Sequence, residues 1–187
     1  MIGYIILFIG VCILSIPIYL LIRRPGRFTG KWERRREWML GFFVVFMAGL
    51  LFMTLRGQYG RISEWPANAV YRLRTGYEIS MKPFYNIRMM YLYDNREHFL
   101  MNVLANILMF MPWGFFRPLL WKKEQRAGRI LVGAILLTVC IESIQLMSRN
   151  RTVDIDDIIL NFAGSISGAG IYFALAAIFP QIRKMAK

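Results

Sequence analysis

Residues 142–157 place Glu142 and Gln145 inside one apolar run and Asp154, Asp156 and Asp157 at the mouth of the next. A carboxyl group in an apolar segment needs a partner, because leaving it unpaired costs several kcal/mol. Spacing shows which groups travel with it. Thr138, Glu142, Gln145 and Arg149 step by four, three and four residues, which is one stripe of a helix. His98, Asn102 and Asn106 make a second stripe, and Asp154, Asp157, Asn161, Gly164 and Gly168 a third. Three polar stripes can hardly all face lipid, so they are expected to face one another around a shared polar pocket.

Several chemistries fit these residues. Glu142 is the candidate general base, or half of an ion pair with Arg149 or Arg151. Those two arginines suit bidentate contact with a phosphate or carboxylate. Asp154, Asp156 and Asp157, with Glu142, are hard oxygen donors of the type that binds divalent cations. Aspartates just before a helix also cap its free N–H groups and suit the positive end of its dipole. Consecutive acids do not make a metal motif alone, so neither a metal nor another cofactor is expected. Asn102, Asn106, Gln145 and Asn161 are ligand contacts or hydrogen-bonding glue between helices. His98 is the single histidine and falls at a segment boundary, where an interfacial role is expected. No nucleophile elbow, HExxH or paired-histidine signature accompanies it.

The elements that position these groups follow from composition. The chain has 187 residues, 57% of them hydrophobic, a mean hydropathy of +0.42 and a formal charge of +13. That is too apolar for an ordinary soluble domain, and the charges are bunched between apolar runs. Five runs approach the length of a spanning helix: Ile2–Ile22, Trp38–Leu55, Phe99–Trp121, Ile130–Met147 and Ile158–Phe179. The fold class is therefore an all-α transmembrane bundle. Two N-terminal helices occupy 1–55, a connection 56–97, and a three-helix core with its tail 98–187. The connection holds Gly57, Gly60, Pro66, Gly76 and Pro83 and reads as loop with short interfacial pieces or a re-entrant segment near Met81–Tyr93. Pro112 is expected to kink the third span or end it.

Lysines and arginines set the orientation. With five spans, the first loop, third connection and tail share one side and hold 15, against nine opposite. The richer side is cytoplasmic, so the N-terminus lies outside and the C-terminus inside. The polar stripes then sit toward the outer surface, with Glu142 roughly 10 Å within its span. The charge serves topology and anionic-lipid attraction, not nucleic acid. The first run lacks a basic lead-in and a small-residue cleavage site, so it reads as a retained span. Cys12 and Cys140 specify no disulfide or metal site. The Gly164–Gly170 stretch has small-xxx-small spacing, expected to pack helices tightly and open to a homodimer.

The residues Asn102-x3-Asn106-x3-Phe110-x-Pro112-x-Gly114, Glu142-x2-Gln145 and Arg151-x2-Asp154-x-Asp156-Asp157-x3-Asn161-x2-Gly164-x3-Gly168 resemble the VanZ-like membrane proteins. The resemblance covers 98–170 and reaches back to Pro83-Phe84. It departs at Ile79-Ser80-Met81-Lys82, where the family often has an Asn-Leu pair. It implies a small integral protein of the bacterial cell membrane, in a family whose namesake is associated with resistance to the lipoglycopeptide teicoplanin. The expected partners are membrane lipids, a polyprenyl-linked envelope precursor or a lipoglycopeptide. Three functions stay open: handling an amphiphile at the outer leaflet, enzymatic action on a lipid headgroup, and structural assembly of an envelope complex.

Overall fold

The computed structural model describes residues 2–23, 30–55, 61–148 and 151–187. The chain is all-α in class, with seven helices among the described residues: α1 (Ile2–Arg23), α2 (Lys31–Leu55), α3 (Trp65–Thr75), α4 (Tyr85–Tyr93), α5 (Arg96–Leu120), α6 (Ala127–Gln145) and α7 (Ile155–Ile178). Of these, α2, α5, α6 and α7 are long and apolar enough to cross a membrane, and α1 is apolar over the shorter stretch Leu7–Arg23. Helices are the natural outcome for such runs, because a helix satisfies its own backbone polar groups without water. α5 runs on through Pro112 and Pro118 to Leu120, so Pro112 does not end the third span.

The tightest pairing is between α5 and α7, and glycines permit it. A Cβ on Gly114 would lie 1.8 Å from the Ser165 carbonyl oxygen, one on Gly168 1.9 Å from that of Met111, and one on Gly164 2.2 Å from that of Ile107. The two backbones therefore touch, as small-residue stripes allow. Since α5 of the same chain covers Gly164 and Gly168, a homodimer would need another surface.

Contacts sort the connections to two ends. At one end, Glu37 is 2% exposed and accepts from Arg23 Nη2 at 2.7 Å, Arg36 Nη1 at 3.0 Å and Tyr19 Oη at 3.1 Å. Arg36 Nε also reaches the Leu120 carbonyl. This cluster explains why α2 begins at Lys31 rather than near Trp38. The charged residues of its first turns are good helix formers, and their charges are neutralised in place. Around it pack Phe43, Trp113, Phe116 and Tyr172, and a second group, Leu50, Phe110 and Ile141, continues the core.

At the other end lies the connection read from sequence as loop. Its described part, from Arg61 on, is largely folded. A 3₁₀ turn (Ile62–Glu64) leads into α3, which has Pro66 in its first turn and ends at Gly76, in the left-handed region at φ 69°. Pro at a helix start and Gly at its C-cap punctuate a helix, so here these residues mark one rather than a coil. Next comes β1 (Ile79–Ser80), which pairs in parallel with β2 (Val153–Asp154), Ile79 opposite Val153 and Ser80 opposite Asp154. α4 follows with no buried residue and leads straight into α5.

Gly168→Ala should lower stability by about 1–3 kcal/mol or more, since the new methyl meets backbone that cannot step aside. Gly170→Ala, where a Cβ meets nothing within 4 Å, should leave it unchanged. Thermal melts of both variants in one detergent check the pair.

Candidate functional site

The polar end is built where α6 stops and α7 starts. Asp154 is the N-cap of α7, its Oδ1 accepting from the Asp156 N–H at 2.9 Å. Its Oδ2 accepts from Asn86 Nδ2 at 2.6 Å. Asp156 turns away from its own helix and caps α4, accepting from the Phe84 N–H and, at 3.0 Å, the Ile87 N–H. Phe84 sits in the left-handed region at φ 61°, uncommon for a bulky residue, where the chain turns its N–H toward that carboxylate. Asp157 accepts from Asn106 Nδ2 at 3.0 Å, joining α7 to α5. Glu142, 4% exposed on α6, accepts from the Asp154 N–H at 3.2 Å.

A cavity of about 100 Å³ remains between these elements, lined by Asn86, Asn102, Thr152, Asp154, Asp156 and Asp157, with Ile87, Met90 and Leu160 as its apolar part. Asn102, Asp154 and Asp157 of the expected stripes, together with Asp156, therefore meet at one wall. Asn106 and Glu142 lie one hydrogen bond behind it. Gln145 and Arg151 attach elsewhere: Gln145 Nε2 donates to the Thr54 carbonyl at 2.6 Å, and Arg151 Nη2 approaches the same oxygen at 3.4 Å. Asn161 is buried one turn further along α7. Among the described residues, Gln145 Oε1 and Asn161 Oδ1 are buried acceptors without a donor. Thr138 bonds back to the carbonyls of Ala134 and Ile135 in its own helix. His98 is exposed and pairs with Asp94, whose carboxyl is held below its ordinary range by that hydrogen bond. Arg149, the last of the α6 stripe, lies outside the described residues.

Each of the three Asp is engaged by donors within the chain. Among the described residues no group of three or more His, Cys, Asp or Glu is arranged to hold a metal ion. Asp154 and Asp156 both accept from α4, through Asn86 and through the Phe84 and Ile87 N–H groups, and Asp157 accepts from α5. With Glu142 of α6 accepting from the Asp154 N–H, the cluster joins α4, α5 and α6 to the start of α7.

Sequence reasoning missed Arg72. It is 3% exposed, on α3, and donates to six carbonyls. Nη1 reaches those of Gln145, Leu146 and Ser148 at 3.1, 3.2 and 2.8 Å. Nη2 reaches Glu78 and Arg151 at 2.9 and 2.6 Å, and Nε reaches Tyr77 at 3.3 Å. A helix end leaves four carbonyls unpaired, and a guanidinium with five N–H donors suits the gap left by α6. Nothing in the sequence separates Arg72 from the other basic residues of its connection. Asn86 was missed for a similar reason: its partner Asp154 is 68 positions away.

Four apolar helices of spanning length, closed at one end by buried acids and amides, define an integral membrane protein of the polytopic helical class. The chain belongs to the VanZ/LLP1 family, whose model matches residues 40–178. The match takes in α5, α6 and α7 with the polar end, and begins within α2. No curated protein and no solved structure matches the chain.

Arg72→Ala should destabilise by roughly 3–5 kcal/mol, the usual scale for removing a buried charge that satisfies several groups. Arg72→Lys should recover little, since one ammonium has three donors and no fork. Thermal unfolding, read beside chymotrypsin cleavage within 61–95, measures both.

Proposed function

We propose that this VanZ-family protein handles an amphiphile at the outer leaflet of the bacterial cell membrane, with its polar end turned outward. In this reading α1 is a fifth span, the N-terminus is outside and the C-terminus cytoplasmic. Support comes from the sequence, whose first loop, third connection and tail hold 15 basic residues against nine in the other connections. Exposed aromatics at this end, among them Tyr71, Tyr77, Phe84, Tyr91 and Tyr93, suit a membrane interface. Cysteine probes test the topology. In a Cys12→Ser/Cys140→Ser background, Arg61→Cys should react with a membrane-impermeant maleimide on intact cells, and Lys123→Cys only after lysis. The reverse pattern would invert the topology.

The observation that carries the reading is the lining of the cavity, with three carboxylates, two amides and a hydroxyl. Such a wall favours a headgroup rich in N–H and O–H donors. Amino sugars and peptide amides offer such donors, which agrees with a lipid-linked envelope precursor or a lipoglycopeptide. The cavity is a few water volumes in size, so it would take the tip of a headgroup rather than the whole of it. Through the family, this handling would contribute to glycopeptide resistance of the teicoplanin type.

A structural reading has its own support, because every Asp of the cluster already has a donor within the chain. Native mass spectrometry of the purified protein separates the two. If the cavity holds a ligand, wild type retains a copurifying amphiphile, and Asp157→Asn and Asp154→Asn of unchanged melting temperature retain it about tenfold less, the effect of one charged hydrogen bond. Equal retention in all three proteins, or none in any, would favour the structural reading.

A further inference from the structure

At the end of the bundle away from the acidic cavity, five basic residues surround a depression of about 530 Å³: Lys122, Lys123, Arg126, Arg129 and Lys187, with Gln125 and no Asp or Glu in its wall. Lys187 is held by Glu33 at 2.6 Å. The other four are exposed, and among the described residues none of them is in an ion pair. Like charges crowded in one wall repel one another unless an anion joins them. The start of α6 borders the same place through Arg126 and Arg129. Its N-cap is Arg126, which gives no side-chain cap, and its first turn holds no acid. A Cβ on Gly128 would meet nothing within 4 Å, so the first turn of α6 is not covered by other side chains there. An uncapped helix N-terminus and four cations are complementary to an anion, and a phosphate group is the usual occupant of such a setting.

A second depression adjoins it. This groove of about 580 Å³ shares Lys123 and Lys187 with the basic one, and Phe43, Met47, Trp113 and Trp121 form its apolar walls. Its carboxylate, Glu124, is engaged by Arg117 at 2.8 Å, and that guanidinium lies over the Trp113 ring at 4.7 Å. A free phosphate would use the basic depression and leave the groove unfilled. A phospholipid uses both.

We infer that this end carries a specific site for an anionic phospholipid, its phosphate on the α6 N-terminus between Lys122, Lys123, Arg126 and Arg129, its acyl chain along the Trp113–Trp121 groove. The site is separate from the acidic cavity and does not depend on what that cavity binds. The charge complementarity of the lining and the continuity of groove and basin identify the occupant.

The test is native mass spectrometry of the full chain titrated with phosphatidylglycerol and with phosphatidylcholine. Wild type should bind phosphatidylglycerol about tenfold or more tightly than phosphatidylcholine. Lys122→Gln/Lys123→Gln and Arg126→Gln/Arg129→Gln should each abolish that preference without changing the melting temperature, because all four side chains are exposed. Arg61→Gln/Arg74→Gln, which removes equal charge at the other end, should keep it. No preference in wild type would overturn the inference, as would a preference that survives both basin variants or is lost equally in the control. Displacement of the lipid by an equal concentration of inorganic phosphate would overturn it too, since the groove would then contribute nothing.

Discussion

Where a chain leaves the hydrocarbon, every carbonyl freed by a helix end needs a donor, and every free N–H an acceptor. Much of this molecule follows from that constraint at one place, the turn between α6 and α7. α6 stops at Gln145 and exposes carbonyls that no strand or helix completes. Arg72 answers from α3, with donors to Gln145, Leu146, Ser148 and Arg151. Asp156 provides the converse, a carboxylate for the free N–H groups of Phe84 and Ile87 at the start of α4. One charged side chain of each sign thus fastens the connection between α2 and α5 over the end of the bundle, and the short β1–β2 pairing lies between them.

The glycine contact of α5 and α7 makes this possible. With backbones touching at Gly114, Gly164 and Gly168, the polar faces of the two helices come close enough for Asn106 to reach Asp157 directly. The acids around the cavity are consequently held in position by fixed donors instead of being free to reorganise. Fixed polar groups bind a matching headgroup at low entropic cost. The same rigidity accounts for a small cavity. It also ties ligand handling and folding to the same residues, so stability has to be measured in every variant used to probe binding.

The long apolar runs were legible in the sequence, because length and hydropathy alone mark helices able to span. Helical spacing puts Asn102, Asp154 and Asp157 on stripes, and these line one cavity, whereas Asp156 lies off the stripe and joins them as a chain neighbour. Capping was legible as a role open to the Asp cluster before an apolar run, and Asp154 is the one that caps α7. Other features were hidden for physical reasons. The preference of Asp156 for α4 depends on a partner 72 positions away, which no local pattern encodes. Arg72 looks like any basic residue of a connection until α6 ends beside it. His98 shares the spacing of Asn102 and Asn106 but lies at the exposed start of α5, where Asp94 takes it. The glycines and prolines of the connection signalled a break in structure, and Pro66 and Gly76 instead bracket a helix. At the opposite end, Glu37 was lost in a run of arginines, although Arg23 and Arg36 make it one of the most buried charges in the chain.

The central claim is that carboxylates of the α7 start organise the polar end, and hydrogen–deuterium exchange at two amides tests it most directly. The N–H groups of Phe84 and Ile87 lie in a segment with no buried residue, so only Asp156 gives them reason to be slow. They should be among the most protected amides between Arg61 and Asn95 in wild type. In Asp156→Asn they should exchange at least about tenfold faster, the loss of one charge-assisted hydrogen bond, while α5 and α7 amides near Gly114 and Gly168 stay unchanged. Rapid exchange at Phe84 and Ile87 in the wild-type protein, or equal rates in both proteins, would contradict the account.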